Sequence, residues 1–350
     1  MSENQQKEKD SSRDVVNDII RIVAMFLVIG VHWFGSLEKY WPQDGASLFI
    51  YGLIDKLTGF GVPLFFSLSG YYILGKEITD IKGFYYKRFV RVVVPYLLYA
   101  ALYMLYFTVY EDHQPALFLK NYIINMLTGN VHGTHWFVYS ILGLYFATPF
   151  LSKMFRALSD REVMLLYITS VSFGLLNCIF GIFGYKFGIN TYVFEGTLLT
   201  FMSGYCTQRC LDSVKTEKLI YAAICRIAAI IALFILYCLT GWDILKCVIA
   251  GLVVAGNTKQ VSESRKTGAI RFLSIYSYSV YLVHAAVISA VFSAYDDWSG
   301  KLFGLKVFVG YVVVFAVSFV FTLVFDWLFT NRIIGMINNR KYKKTTPDNN

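Results

Sequence analysis

The sequence predicts an all-α, polytopic integral membrane protein with about ten transmembrane helices and both termini in the cytoplasm. Three observations carry this. Of 350 residues, 56% are hydrophobic and only 16% charged, and the mean hydropathy is +0.52, outside the range of soluble globular chains. The apolar residues fall in blocks of about 20, the length a helix needs to cross hydrocarbon; the alternating ten-residue segments of a membrane barrel do not occur. The basic residues then partition between alternate connections, as cytoplasmic and external loops do.

The predicted helices cover 16–35, 49–75, 88–110, 134–153, 163–183, 193–210, 218–240, 242–257, 270–293 and 306–329. The eighth is short. With this assignment only Lys39, Lys56, Lys120, Lys186, Lys301 and Lys306 belong to one set of connections, while the opposite set holds roughly four times as many cations, from Lys7 to Lys344. The rich side is cytoplasmic. The formal net charge of +9 follows from these loops, and no nucleic-acid motif accompanies it. Residues 1–15 read as a disordered cytoplasmic N-terminus, 16–330 as the transmembrane domain and 331–350 as a basic cytoplasmic tail. The first apolar run is too long for a signal-peptide core and lacks a small-residue cleavage pattern, so it is a retained helix. Six cysteines lie in or beside apolar segments without a CxxC pair and read as reduced packing residues.

The first helix organises the rest. Asn17 to Phe34 carries Arg21 near one end and His32 near the other. Eleven positions at about 100° each come to roughly 1100°, close to three turns, so both fall on one face, about 16 Å apart along the axis. Arg21 has an ordinary use as a snorkelling interfacial anchor and His32 as a hydrogen-bonded packing residue. Together, on one face of a membrane helix, they mark a functional site. The third segment begins KRFVRVVVP, with Arg88 and Arg91 as i, i+3 neighbours on one face. At the first turn of a cytoplasm-facing helix they would meet anions with its free N–H groups. Arg21, Lys87, Arg88 and Arg91 thus form a candidate polyphosphate grip, with ordinary positive-inside decoration as the alternative.

Other features are weaker. GVPLFFSLSGYYI places Pro63, Ser67, Ser69 and Gly70 where local unwinding or close helix contact is expected, and Ser67 or Ser69 is a candidate oxyanion donor. The external connection 111–133 contains a short interfacial helix, FLKNYIINML, and leads to His132, His135 and Trp136; HxxH without a third ligand does not make a metal site. Five of six tryptophans, Trp33, Trp41, Trp136, Trp242 and Trp298, map to the outer half, which suits stacking on sugar rings as well as an interfacial belt. Glu195 opens the sixth helix at the depth of His32 and is a candidate partner that fixes the imidazole tautomer. His284 lies near mid-membrane on the ninth helix, to meet His32, to line a channel or simply to pack.

In order along the chain, Arg21 and His32 with ten residues between them, FFSLSGYYI, RFVR, HWFVYSILGLYFATPFL and YSVYLVH resemble the motifs of the acyltransferase 3 family of bacterial membrane O-acyltransferases. The resemblance spans almost the whole chain, in the stand-alone form without a fused esterase-like domain. It implies transfer of an acyl group, often acetyl, from cytoplasmic acyl-CoA (acetyl-CoA) to a hydroxyl of an envelope glycan or lipid-linked sugar at the bacterial plasma membrane. It implies a catalytic His32 and CoA contacts from Arg21, Arg88 and Arg91. Glu195 joins His32 as a catalytic candidate from position alone, and Trp33, Trp136, His135 and His284 are assigned to the substrate side. No metal is expected, no nucleic-acid partner, and membrane lipid as the surrounding. A transporter of polysaccharide, lipid-linked sugar or amino acid is the alternative, though no inverted repeat is visible.

Overall fold

The computed structural model describes residues 15–188, 196–213, 219–256, 265–294, 298, 300 and 302–345, and among them there are helices and turns but no strands. In chain order the helices are α1 (Val15–Ser36), α2 (Gly45–Thr58), α3 (Gly61–Ile73), α4 (Ile81–Arg88), α5 (Val94–Leu105), α6 (Phe118–Thr128), α7 (Trp136–Ala157), α8 (Asp160–Ile182), α9 (Gly196–Ser213), α10 (Leu219–Thr240), α11 (Ile244–Val254), α12 (Arg265–Ser293), α13 (Phe303–Phe325) and α14 (Asn331–Thr345). Among the described residues, seven segments are long and apolar enough to cross a membrane: Val15–Ser36, Gly45–Ile73, Ile81–Val109, Asp160–Ile182, Tyr221–Thr240, Thr267–Ser293 and Phe303–Asn339. The expected count of about ten is therefore not confirmed by length and hydropathy among these residues. The shortfall is α7, α9 and α11. The 11 residues of α11 rise only about 16 Å, half the hydrocarbon thickness.

The chain divides into two compact units. The first holds Met1–Val31, Pro42–Ile78 and Ala147–Ile275; the second holds His32–Trp41, Thr79–Phe146 and Tyr276–Asn350. Helices α1, α7 and α12 each contribute to both.

In the first unit, Asp44 starts α2 by accepting the Ser47 N–H at 2.9 Å, one of the orphan donors of a helix start. The expected single span 49–75 is broken at Gly59–Phe60. Pro63 sits in the first turn of α3, where its missing N–H leaves no intrahelical bond unmade. Beyond it, Gly70 lets α3 cross α9 closely: a Cβ there would overlap the Phe201 carbonyl. Ser67 is fully buried at the same crossing and accepts the Ser203 hydroxyl at 3.1 Å. Apolar side chains of α1, α3 and α11 (Ile20, Ala24, Leu64, Leu68, Ile249 and Val254) fill the core beside this seam. Between helices in lipid, such close packing replaces the hydrophobic effect as the associating force.

In the second unit, Asp80 caps α4 by accepting the Gly83 N–H at 2.8 Å. A π-helical turn, Phe89–Val93, joins α4 to α5. Pro95 explains it: a proline ring clashes with the carbonyl four residues back, here that of Arg91, and a wider turn relieves the clash. Trp33 is fully buried, donates its indole N–H to the Val307 carbonyl at 3.0 Å, and packs edge-on to Trp298 with ring centroids 5.2 Å apart. Gly310 makes room for it, since a Cβ there would press into the Trp33 ring. Residues 331–345 of the expected tail are helical, and Tyr86 donates to Asn338 at 3.0 Å.

Candidate active site

All five of the chain's histidines fall in the second unit, and four of them gather there. His32, near the C-terminal end of α1, is half-buried. Its ring centroid lies 5.2 Å from that of His284, with the planes 39° apart. His284 on α12 is fully buried. Its Nδ1 faces the Tyr281 carbonyl of the preceding turn. A carbonyl only accepts, so Nδ1 carries the proton and Nε2 of the neutral ring is a lone pair. That Nε2 takes no hydrogen bond from any described residue.

His135, at the entry to α7, is arranged in the mirror sense. It is fully buried, and its Nε2 faces the Leu282 carbonyl at 3.2 Å. Nδ1 is then the lone pair, again unpartnered among the described residues. Tyrosines hold these rings in place. Tyr103 lies 4.9 Å from His135 and 5.1 Å from His132, and its hydroxyl accepts the Ala286 N–H at 3.1 Å. Tyr281 stacks on His284 at 5.6 Å and donates to the Thr134 carbonyl. His132 completes the group 5.7 Å from His135. It accepts the Thr134 N–H on Nδ1 at 3.3 Å, and burial lowers its pKa from the usual imidazole range. The result is an aromatic-walled cluster with two buried basic nitrogens and one half-exposed imidazole. Among the described residues no group of His, Cys, Asp or Glu has metal-binding geometry.

The basic residues lie in two places. Arg21 is in the first unit, where its Nη1 meets Asp18 at 2.6 Å and its guanidinium lies 5.0 Å from the Tyr72 ring centroid. Asp18 is buried and also accepts the Ser274 hydroxyl at 2.7 Å. Arg88 and Arg91 are in the second unit. Arg88 lies between aromatic rings, 5.1 Å from Phe84 and 4.7 Å from Tyr145, with its Nε unpartnered among the described residues. Arg91 is exposed. The placement of this pair corrects the sequence argument. Their helix begins at Ile81, so neither occupies a first turn, and the π-helical turn rotates Arg91 away from strict i, i+3 register with Arg88. Whatever anion affinity they have comes from their own charge.

Other expectations change too. Trp33, Trp41 and Trp298 are buried in the second unit, so they offer no flat face for a sugar; Trp33 is a packing residue by its bond to Val307. Trp136 is 47% exposed and keeps an open surface. Ser67 is buried at the α3–α9 crossing, where it accepts the Ser203 hydroxyl. Glu195 lies outside the described residues. The residues missed from sequence are Asp18, Tyr103 and Tyr281. The spacing of Asp18 and Arg21, three apart on one helix, signalled the first; nothing distinguished two tyrosines among 26.

The profile of a family described as an acyltransferase domain, acyltransferase 3, matches residues 17–328. The chain belongs to this family. It is thus a membrane acyltransferase, and the match takes in both the Arg21–His32 helix and the His284 helix. No curated protein and no solved structure matches the chain.

Proposed function

We propose that this acyltransferase takes its acyl group, in the first instance acetyl, from cytoplasmic acyl-CoA and delivers it to a hydroxyl of a cell-envelope glycan or lipid-linked sugar at the bacterial plasma membrane. The observation that carries the reading is the half-buried His32 beside the fully buried His284, on a helix that also bears Arg21 near its N-terminal end. His32 is the general base. It takes the acceptor's proton as the oxygen attacks the thioester carbonyl; the C–O bond forms, the C–S bond breaks, and the proton passes to the departing thiolate. Arg21, Arg88 and Arg91 hold the donor phosphates, with Arg21 fixed in place by Asp18. Trp136, at the exposed mouth of α7, is the stacking surface for the acceptor. His135 shapes the acceptor side, and Glu195 remains a candidate partner of His32. No nucleophile elbow is present in the sequence, so transfer is direct.

The test is release of free CoA by the purified protein in lipid nanodiscs, with acetyl-CoA and a panel of glycan acceptors. Wild type is compared with His32→Ala and with Arg88→Ala/Arg91→Ala. The expected result is turnover lost in the first and donor affinity lost in the second. Acyl-CoA that is neither bound nor consumed by wild type, with acceptor-type glycans crossing the membrane instead, would replace this reading with a transporter.

A further inference from the structure

The two facing imidazoles differ in one respect that assigns them different tasks. His32 is half-exposed, so an acceptor hydroxyl can reach it; His284 is fully buried, so none can. His284 is nonetheless oriented. The Tyr281 carbonyl fixes its proton on Nδ1 and the stacked Tyr281 ring fixes its plane, leaving Nε2 as a buried lone pair without a partner. Such a nitrogen inside a protein is costly unless something uses it. A centroid separation of 5.2 Å brings the facing edges of two five-membered rings to about hydrogen-bond distance, and such bonds commonly close only when substrate is bound.

We propose that His284 is a positioning residue for His32: its Nε2 accepts an N–H of His32, and so fixes which His32 nitrogen stays unprotonated and where that nitrogen points. The proposal rests on the acyltransferase reading of His32 and adds to it the source of the base's orientation. His284 stays neutral throughout. The reacting proton moves from the acceptor hydroxyl to the free nitrogen of His32 and on to the thiolate, while the His32–His284 bond holds the ring still. A Tyr281 carbonyl, a buried imidazole and a working imidazole then stand in line, a neutral counterpart of the carboxylate that orients histidine in hydrolase triads.

The experiment uses ring-15N-histidine-labelled full-length protein in nanodiscs, with turnover and thermal melts on the same samples. The variants are His284→Leu, which keeps bulk without an acceptor, and His284→Gln, whose side-chain oxygen can accept. The expected spectrum shows one neutral tautomer of His32 in wild type and a mixture in His284→Leu. Turnover number falls about 10- to 100-fold in His284→Leu, the size seen when a partner orienting a functional histidine is removed. The donor KM changes little, and His284→Gln regains part of the loss. A tautomer mixture in wild type, or His284→Gln no better than His284→Leu at equal melting temperature, overturns the proposal. A wild type that consumes no acyl-CoA yet shows a single His32 tautomer that His284→Leu abolishes overturns the acyltransferase reading and leaves the action of His284 on His32 in place.

Discussion

The two units hold certain polar groups in different ways. In the first, three clusters are drawn into packing. Asp18 is shared between Arg21 and Ser274, Ser67 takes the Ser203 hydroxyl, and Arg209 donates to Asp160, Tyr205 and the Phe155 and Leu158 carbonyls. In the second, the His135 and His284 rings each give one nitrogen to a backbone carbonyl and keep the other bare. Bare buried nitrogens cost stability, and they are also what proton transfer needs. On the proposed reading, the comparison sets the packing around Asp18, Ser67 and Arg209 against the unpartnered nitrogens beside the proposed base.

The largest expected effect breaks the first unit. Arg21→Ala leaves the buried Asp18 carboxylate without its cation and costs on the order of 3 kcal/mol, read as a lower melting temperature in detergent. Pairing it with Asp18→Asn restores most of that stability. Donor affinity measured in the stable double variant then reports the loss of Arg21 as a phosphate contact, separated from its structural part. Next is Gly70→Ala. The added methyl meets the Phe201 carbonyl, and the forced shift costs about 1–3 kcal/mol, with turnover per folded molecule unchanged. In the second unit, Tyr103→Phe removes the acceptor of the Ala286 N–H and costs about 1 kcal/mol while keeping the ring against His132 and His135; a larger fall in turnover than in stability would sharpen the division between the units. The smallest effect is a pH dependence. His132 holds a lowered pKa by burial. The fold therefore favours its neutral form, and the unfolded chain binds more protons below about pH 6.5. Stability is fully present above that value and declines as pH falls toward the folded pKa. His132→Asn flattens this acid limb in a series of melts.

What was legible in the sequence follows from how far apart the determinants lie. Helical period alone put Arg21 and His32 on one helix, and α1 bears that out because nothing in it interrupts the period. The same reasoning failed at Arg88 and Arg91, although its cause, Pro95, was in plain view: a proline four residues beyond Arg91 changes the turn that carries it. The short helix before His132 was readable from FLKNYIINML and appears as α6. The span 49–75 was readable as a whole but not its break, since Pro63 favours a helix start two residues before it. The outward bias of the tryptophans suggested exposed faces; at Trp33 the deciding residues, Val307 and Gly310, lie more than 270 positions away. The same holds for His135, whose partner is the Leu282 carbonyl. Long-range partners of this kind are set by tertiary packing, and a single sequence carries no local sign of them.

The central claim is that His32 performs chemistry and does not bind the donor. Its most direct test measures acetyl-CoA binding by calorimetry and CoA release by turnover on one preparation of His32→Ala in nanodiscs, beside wild type. The account predicts donor affinity within about threefold of wild type, less than 1 kcal/mol, and turnover reduced by 10²–10⁴-fold, the range for loss of a general base. Loss of donor affinity with the turnover number of the remaining bound complex unchanged would contradict it and make His32 a binding residue.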